Sequence, residues 1–283
     1  MSQTISVSLS PLLRYKQHLH HHDRPNTLIK NFKTRSDSRR FSLRATAAPP
    51  SSDVDDAMKT STERCPDTVR YDVNDRELKV PKPHIPRALV AADNEHPQGT
   101  IGRDHQNYTV LQQHVEFFDR NKDGIIYPWE TFEGFRAIGF NYLISFFGMV
   151  LINGTMSYAT QPSWLPSPVF SIHIRNMHKA VHGSDTGVYD NEGRFVPAKF
   201  EEIFAKYAKT SPDRMSWDEL NEMTESLKDV HDFFGWAANK LEWGITFLLL
   251  KDEEGFVSKE LIRGMYDGSV FYSVEKELAD KKL

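Results

Sequence analysis

The chain has 283 residues, a formal net charge of −4, 39% hydrophobic residues and 26% charged ones. This is an ordinary globular balance with enough apolar mass for one sizeable core. The average hides a break in charge. Residues 1–52 hold nine Lys/Arg against only Asp23 and Asp37, which leaves an acidic body with 26 basic and 37 acidic side chains. An acidic body excludes nucleic acid as the expected partner, because such binding rests on neutralising phosphates. Cys65 is the sole cysteine, so no intramolecular disulfide forms and a reducing compartment fits. In its polar setting before Pro66 it reads as a surface thiol.

The basic head, 1–52, is rich in Ser, Thr and Arg and has no apolar run that would serve as a secretory core. That is the composition of an organelle transit peptide or of a disordered basic arm. His18, His20, His21 and His22 lie inside it and offer metal-binding chemistry without a folded setting. Residues 53–108, with Pro81, Pro83, Pro86 and Pro97, read as an extended polar arm.

The organised part begins at Tyr108. Leu111, His114, Val115 and Phe118 fall at the i, i+3, i+4, i+7 spacing of a helix face, and that helix leads straight into Asp119-Arg-Asn121-Lys-Asp123-Gly124-Ile125-Ile126-Tyr127-Pro-Trp-Glu130. Ca²⁺ is a hard cation that takes six to eight oxygens. Asp119, Asn121 and Asp123 supply oxygens at loop positions 1, 3 and 5. Gly124 allows the turn at position 6, Ile125 offers its backbone carbonyl, and Glu130 can bind through both oxygens at position 12. The spacing predicts an intact EF-hand over 109–136.

From Ala137 to Ile174 there is no Asp, Glu, Lys or Arg. A helix over Ala137–Ile152 would be roughly 24 Å long, shorter than the ~30 Å core of a bilayer. Pro162, Pro166 and Pro168 then turn the chain back, with Tyr158 and Trp164 suited to an interfacial depth. The stretch 137–170 thus reads either as a hydrophobic hairpin inserted beneath a lipid surface or as a buried core helix followed by a Pro-rich turn. Over 171–273 three stretches repeat a turn, an apolar residue and a helix start: Asp190–Phe195, Asp213–Leu220 and Asp252–Val257. With Gly193 or Gly255 at position 6, position 1 falls on Val188 or Leu250, neither of which ligates calcium. The expectation is a mainly α array of four EF-hand-like helix–loop–helix units with one intact calcium loop, followed by a tail, 274–283.

Asp119–Glu130 with its Ile-Ile-Tyr-Pro-Trp-Glu end, the uncharged segment, the proline cluster and His182-Gly-Ser-Asp185 stand in the order found in the caleosins, the plant and fungal lipid-droplet peroxygenases. Pro81–Ala88, Asp190–Phe195 and Asp252–Phe256 add to the resemblance, which covers roughly residues 70–273. The resemblance implies a membrane-associated hairpin with a proline knot, a haem b cofactor beside Ca²⁺, and hydroperoxide-dependent oxygenation of lipids. It implies that His114 and His182 serve the haem as axial ligands and catalytic groups. Read from the residues alone, His114 is more often a satisfied core residue than a ligand, and His178 with His182 at i, i+4 equally suits a transition-metal site. If both histidines bound iron at once no position would stay open, so one is expected to be displaced or to act as a distal acid–base group; Asp185 is a candidate to orient His182. The implied partners are fatty-acid hydroperoxides, unsaturated fatty acids and a phospholipid monolayer or membrane, with a homo-oligomer allowed. The implied location is a lipid droplet or endoplasmic-reticulum surface, with a plastid raised by the basic head. Ser171 stands near the place of a further proline in the family's knot. The alternative is a non-catalytic calcium-binding tether of lipid droplets.

Overall fold

The computed structural model describes residues 56–65 and 85–281; the basic head with its histidine run, and Pro81 and Pro83, lie outside them. The described chain is mainly helical. Thr109, the N-cap of α1 (Val110–Glu116), forms a capping box with Gln112, which satisfies the otherwise orphaned amides of the first turn. After α1 come β1 (Ile125–Ile126), α2 (Pro128–Ala137), α3 (Tyr142–Thr160), β2 (Ile172–His173) and a 3₁₀ helix, Ile174–Ala180. The second half holds α4 (Pro197–Tyr207), β3 (Arg214–Ser216), α5 (Trp217–Ser226), α6 (Phe233–Leu250), β4 (Phe256–Ser258), α7 (Lys259–Tyr266) and α8 (Ser269–Asp280).

The short strands pair in twos. β1 runs antiparallel to β2, with Ile125 opposite His173 and Ile126 opposite Ile172. β3 runs antiparallel to β4, with Met215 opposite Val257. Each strand lies in a connection between two helices, so the described residues carry four helix–strand–helix units in two pairs. The turns at Asp213 and Asp252 form two of them as expected. Asp190–Phe195 does not. There Asp190 folds a tight turn by accepting from the Glu192 and Arg194 amides, both at 2.9 Å, and Phe195 bridges to Arg87 and Tyr189. The partner of the first unit is instead the charge-free segment, whose loop has prolines in place of ligating side chains.

That segment also folds differently in detail. Chain leaving α2 turns at Gly139, φ 96°, and α3 starts afresh with Asn141 as N-cap, its side chain accepting from Ile144 N. The apolar helix is therefore Tyr142–Thr160 rather than Ala137–Ile152. Its inward face carries Ser145, Gly148, Asn153, Ser157 and Thr160. Tyr142, Leu143, Phe146, Phe147, Val150, Leu151 and Tyr158 face out, followed in the proline loop by Trp164, Leu165, Val169 and Phe170. Among the described residues α3 is the one helix long and apolar enough to cross a membrane, and only 28% of it is buried. A soluble core helix has the opposite arrangement. The loop is closed by Gln161, whose side chain donates to Ser171 O at 3.0 Å, and by a Ser171–Ser167 hydroxyl bond of 3.0 Å.

Among the described residues two apolar clusters make the core. The larger joins Phe117 and Phe135 to Phe195, Phe200, Met215, Leu220, Trp243, Leu261, Tyr266 and Phe271. The smaller joins Tyr108, Leu111, Ile126, Ile172, Ile174 and Met177. Gln113 at the heart of α1 ties in the preceding arm by donating to Leu89 O and Tyr108 O at 2.7 and 2.9 Å. Cys65, read from sequence as a surface thiol, is fully buried, its sulfur 4.0 Å from His178 Nδ1. At Cys65 the described part of the arm packs against His178 of the 3₁₀ helix.

Candidate functional site

The two clusters enclose a cavity of about 230 Å³. α1 contributes Leu111, His114 and Val115; α3 contributes Ile152 and Met156; β1 and β2 contribute Ile126 and Ile172. The 3₁₀ helix and the chain after it bring Met177, His182, Asp185 and Tyr189, and α6 brings Glu242, Trp243, Thr246 and Leu249. The wall is thus almost wholly apolar, with His114 and His182 brought into it from positions 68 residues apart in the sequence. His178 is not part of the wall.

His114 is held from behind. Its Nδ1 lies 2.6 Å from the carbonyl of Met265 at the end of α7. A carbonyl only accepts, so Nδ1 carries the proton and Nε2 keeps the lone pair when the ring is neutral. Burial pushes the pKa of His114 below its ordinary value, against the opposing pull of the Met265 bond, and so favours that neutral form. Phe271 meets the ring edge-on at 5.3 Å. Behind it Gly268, at φ 74°, packs so closely on α1 that a Cβ there would lie 2.5 Å from Gln113 O and 3.1 Å from His114 Cα.

His182 has a different setting. Its Nε2 is 3.8 Å from a carboxylate oxygen of Glu242, while its Nδ1 is buried without a partner. The Glu242 contact raises the His182 pKa, followed by an opposing effect of burial. Asp185, the expected orienting group, does not bond the ring. It accepts instead from the Thr186 hydroxyl at 3.4 Å and the Gly187 amide at 3.3 Å, and burial raises its carboxyl. The sequence reading missed Glu242 and Met265, which come from segments far along the chain.

The loop Asp119–Glu130 lies next to the cavity, since it runs from α1 through β1, whose Ile126 lines the wall, into α2. Asp119 and Glu130 are 1% and 2% exposed. Asp119 accepts from Gly124 N at 2.8 Å and Asp123 N at 3.2 Å. Glu130 accepts from the Arg120 and Asn121 amides, both at 3.2 Å, and from Tyr127 N at 2.9 Å. Asp123 turns to Ile125 N at 2.8 Å and to the Asn121 amide group at 3.0 Å. With these carboxylates engaged by the loop's own amides, no three His, Cys, Asp or Glu side chains among the described residues gather tightly enough to hold a metal ion as they stand. Burial raises the Asp119 carboxyl above its ordinary value.

The family described as caleosin related protein matches residues 106–275. The chain belongs to the caleosin family. It is 53% identical over 200 residues to the peroxygenase of Lilium longiflorum, covering 71% of this chain and 84% of that one. It is 49% identical over 171 residues to probable peroxygenase 4 of Arabidopsis thaliana, covering 60% and 88%. A probable inactive peroxygenase-like protein of the same plant is 37% identical over 145 residues, covering 51% and 69%. No solved structure matches. This caleosin is an enzyme of the peroxygenase class, and the histidine-bearing cavity falls wholly inside the matched span.

Proposed function

We propose that the chain is a calcium-dependent haem peroxygenase that uses a fatty-acid hydroperoxide to epoxidise or hydroxylate unsaturated fatty acids, at the surface of a lipid droplet or of the endoplasmic reticulum. The observation that carries this reading is the meeting of His114 and His182 in one apolar cavity beside a helix whose apolar face is turned outward. The donor set fits a haem. His114, oriented by the Met265 carbonyl, has a free Nε2 that would hold the haem iron. His182, with a buried ring nitrogen lacking a partner, suits the opposite role of exchanging a proton with the bound hydroperoxide. Haem, when bound, supplies the O–O cleavage and the oxygen transfer.

The cavity volume is below the ~300–1,000 Å³ usual for ligand pockets, so haem entry requires wall side chains to move aside. Met156, Met177 and Met265 stand in that wall and are the unbranched side chains best able to do so. The remaining apolar wall, which includes Ile152, Trp243 and Leu249, would hold an acyl chain and keep water from the reacting atoms.

The donor set of the loop fits calcium. Asp119 and Glu130 are two nearly buried carboxylates on one small loop, a costly arrangement that a divalent cation relieves. Asp119, Asn121, Asp123, the Ile125 carbonyl and Glu130 would exchange their amide hydrogen bonds for the ion. The outward face of α3 and the proline loop supply the lipid contact. The test is to express the full chain with haem supply, record the Soret band, and measure fatty-acid epoxidation with a hydroperoxide donor, with calcium and with chelator. A Soret band and activity that both fall in His114→Ala are expected. A protein that takes up no haem would overturn the reading.

A further inference from the structure

The inversion seen in α3 occurs a second time. α6 holds in the second pair of helix–strand–helix units the place that α3 holds in the first, as the leading helix of the unit with the later strand. Its buried side is again partly small and polar, with Gly235, Asn239 and Thr246 beside Trp243. Phe233, Phe234, Ala237 and Leu241 follow the i, i+1, i+4, i+8 spacing of one helix face, and all four are exposed. Val230, just before the helix, is 78% exposed, Phe233 66%, Phe234 59% and Leu241 44%. Large apolar side chains offer roughly 150–250 Å² each, so the patch is on the order of 450 Å².

A patch of that size is too small for a stable contact between copies, which takes about 800 Å² from each partner. A lipid surface sets no such minimum, because it moulds to the side chains and each buried group adds to the affinity. The edge of the stripe suits headgroup depth. There Lys228 Nζ lies over the Trp236 ring at 4.3 Å, a pair with an apolar body and a charged tip. The stripe also runs into the cavity: Ile245, one turn after Leu241, is part of the wall, as Ile152 and Met156 of α3 are. We propose that the outward face at the start of α6 is a second lipid-contact site, which meets a phospholipid monolayer beside the site on α3. This rests on the lipid partner of the function proposed above and adds to it a surface from the other half of the fold.

The experiment places an exposed cysteine in the full chain, Ala237→Cys, and labels it with a nitrobenzoxadiazole fluorophore; Cys65 is fully buried and takes no label in the folded chain. Glu222→Cys, exposed on α5, is the polar control. On phospholipid-coated triacylglycerol droplets the label at 237 is expected to shift to the blue and to lose most of its quenching by aqueous iodide, while the label at 222 does neither. Phe233→Asp combined with Phe234→Asp is expected to weaken droplet partitioning by about tenfold or more, since two rings lose their burial. The denaturation midpoint of that variant in buffer should stay nearly unchanged, because both positions are exposed. A chain that floats with the droplets while the label at 237 stays as in buffer would overturn the proposal and leave α3 as the lipid contact. A blue shift that grows with protein concentration in buffer alone would overturn it in favour of a second copy on this face. A wild type that does not float at all would overturn the lipid reading of α3 and α6 together.

Discussion

Replacing Phe146 and Val150 together by Asp should release the protein from lipid without unfolding it. Six apolar side chains on α3, from Tyr142 to Leu151, keep between 41% and 71% of their surface exposed. Full burial of such a side chain is worth about 1.5–3 kcal/mol, so covering the exposed half of each with lipid contributes on the order of 1 kcal/mol apiece, or ~6 kcal/mol for the stripe. The two substitutions remove about 2 kcal/mol of that and add an insertion cost of about 2.5–3.5 kcal/mol per Asp. The balance turns unfavourable. Phe146 and Val150 are 50% and 51% exposed, so folding stability should change by only about 0.5 kcal/mol each. Flotation with phospholipid-coated triacylglycerol droplets reads the first effect, and the denaturation midpoint in buffer reads the second. Ser145→Asp, at a fully buried position of the same helix, should do the reverse and destabilise the fold. High-salt washing should not release the wild type, because apolar burial is not screened. A double variant that still floats, or that unfolds in buffer, would refute the assignment of this face to lipid.

Glu130→Gln should weaken calcium binding by more than about tenfold, since it removes the charge of the ligand at position 12. Calorimetry should give one ion per chain, unchanged by substitutions at Asp190 or Asp252. Gly268→Ala forces a left-handed residue and a Cβ 2.5 Å from Gln113 O; the backbone strain alone costs about 1–2 kcal/mol. It should reduce haem uptake, read as Soret absorbance per chain, more than the same substitution at the open Gly154. The two histidines should oppose each other in pH dependence. Burial depresses His114 below 6.5, so its contribution is complete above that pH and lost as pH falls towards the depressed value. The Glu242 contact raises His182 above 6.5, so its contribution is complete below 6.5 and lost as pH rises through the folded value. Denaturant midpoints between about pH 5 and 8 should therefore show less acid sensitivity in His114→Gln and less alkaline sensitivity in His182→Gln; the reverse pattern would contradict both environments.

What sequence showed and what it hid divide along the range of the forces involved. The spacing of Leu111, His114, Val115 and Phe118 marked α1, and the turns at Asp213 and Asp252 marked two helix–strand–helix units, because helix faces and turns are local. Asp190 looked like a third such turn, but its carboxylate is spent on the Glu192 and Arg194 amides and on the Arg194 side chain at 2.6 Å. The real partner of the first loop was concealed because a unit that binds no ion needs no Asp or Gly at the old positions. The polarity of α3 was legible all along: Ser145, Gly148, Asn153, Ser157 and Thr160 follow the spacing of one helix face. Its sign is what differs from a core helix, since here the small and polar face is the inner one. Glu242, Met265 and Gly268 left no local signal. They act on histidines 60 to 154 residues earlier in the chain, through packing that only the folded chain displays.

In the proposed function α3 links the loop Asp119–Glu130, the outward apolar stripe and the cavity. Its outward stripe meets lipid in the proposed function, and Ile152 and Met156, on another side, face the cavity. Between them Asn153, almost fully buried, donates to Ile126 O at 3.4 Å and to Phe170 O at 3.0 Å. Ile126 belongs to β1, inside the loop Asp119–Glu130, and Phe170 belongs to the proline loop. A second stitch runs from Ile174 N to Gly124 O at 3.1 Å, which joins loop position 6 to the 3₁₀ helix that carries the cavity residue Met177. A carboxamide with two acceptors in different segments cannot shift relative to one without straining the other. In the proposed function, calcium at Asp119–Glu130 would therefore act on the same element that meets lipid on its outer face and lines the cavity on its inner side. Because such coupling is reciprocal, a change at any one of the three surfaces that moves α3 must change the free energy of binding at the other two.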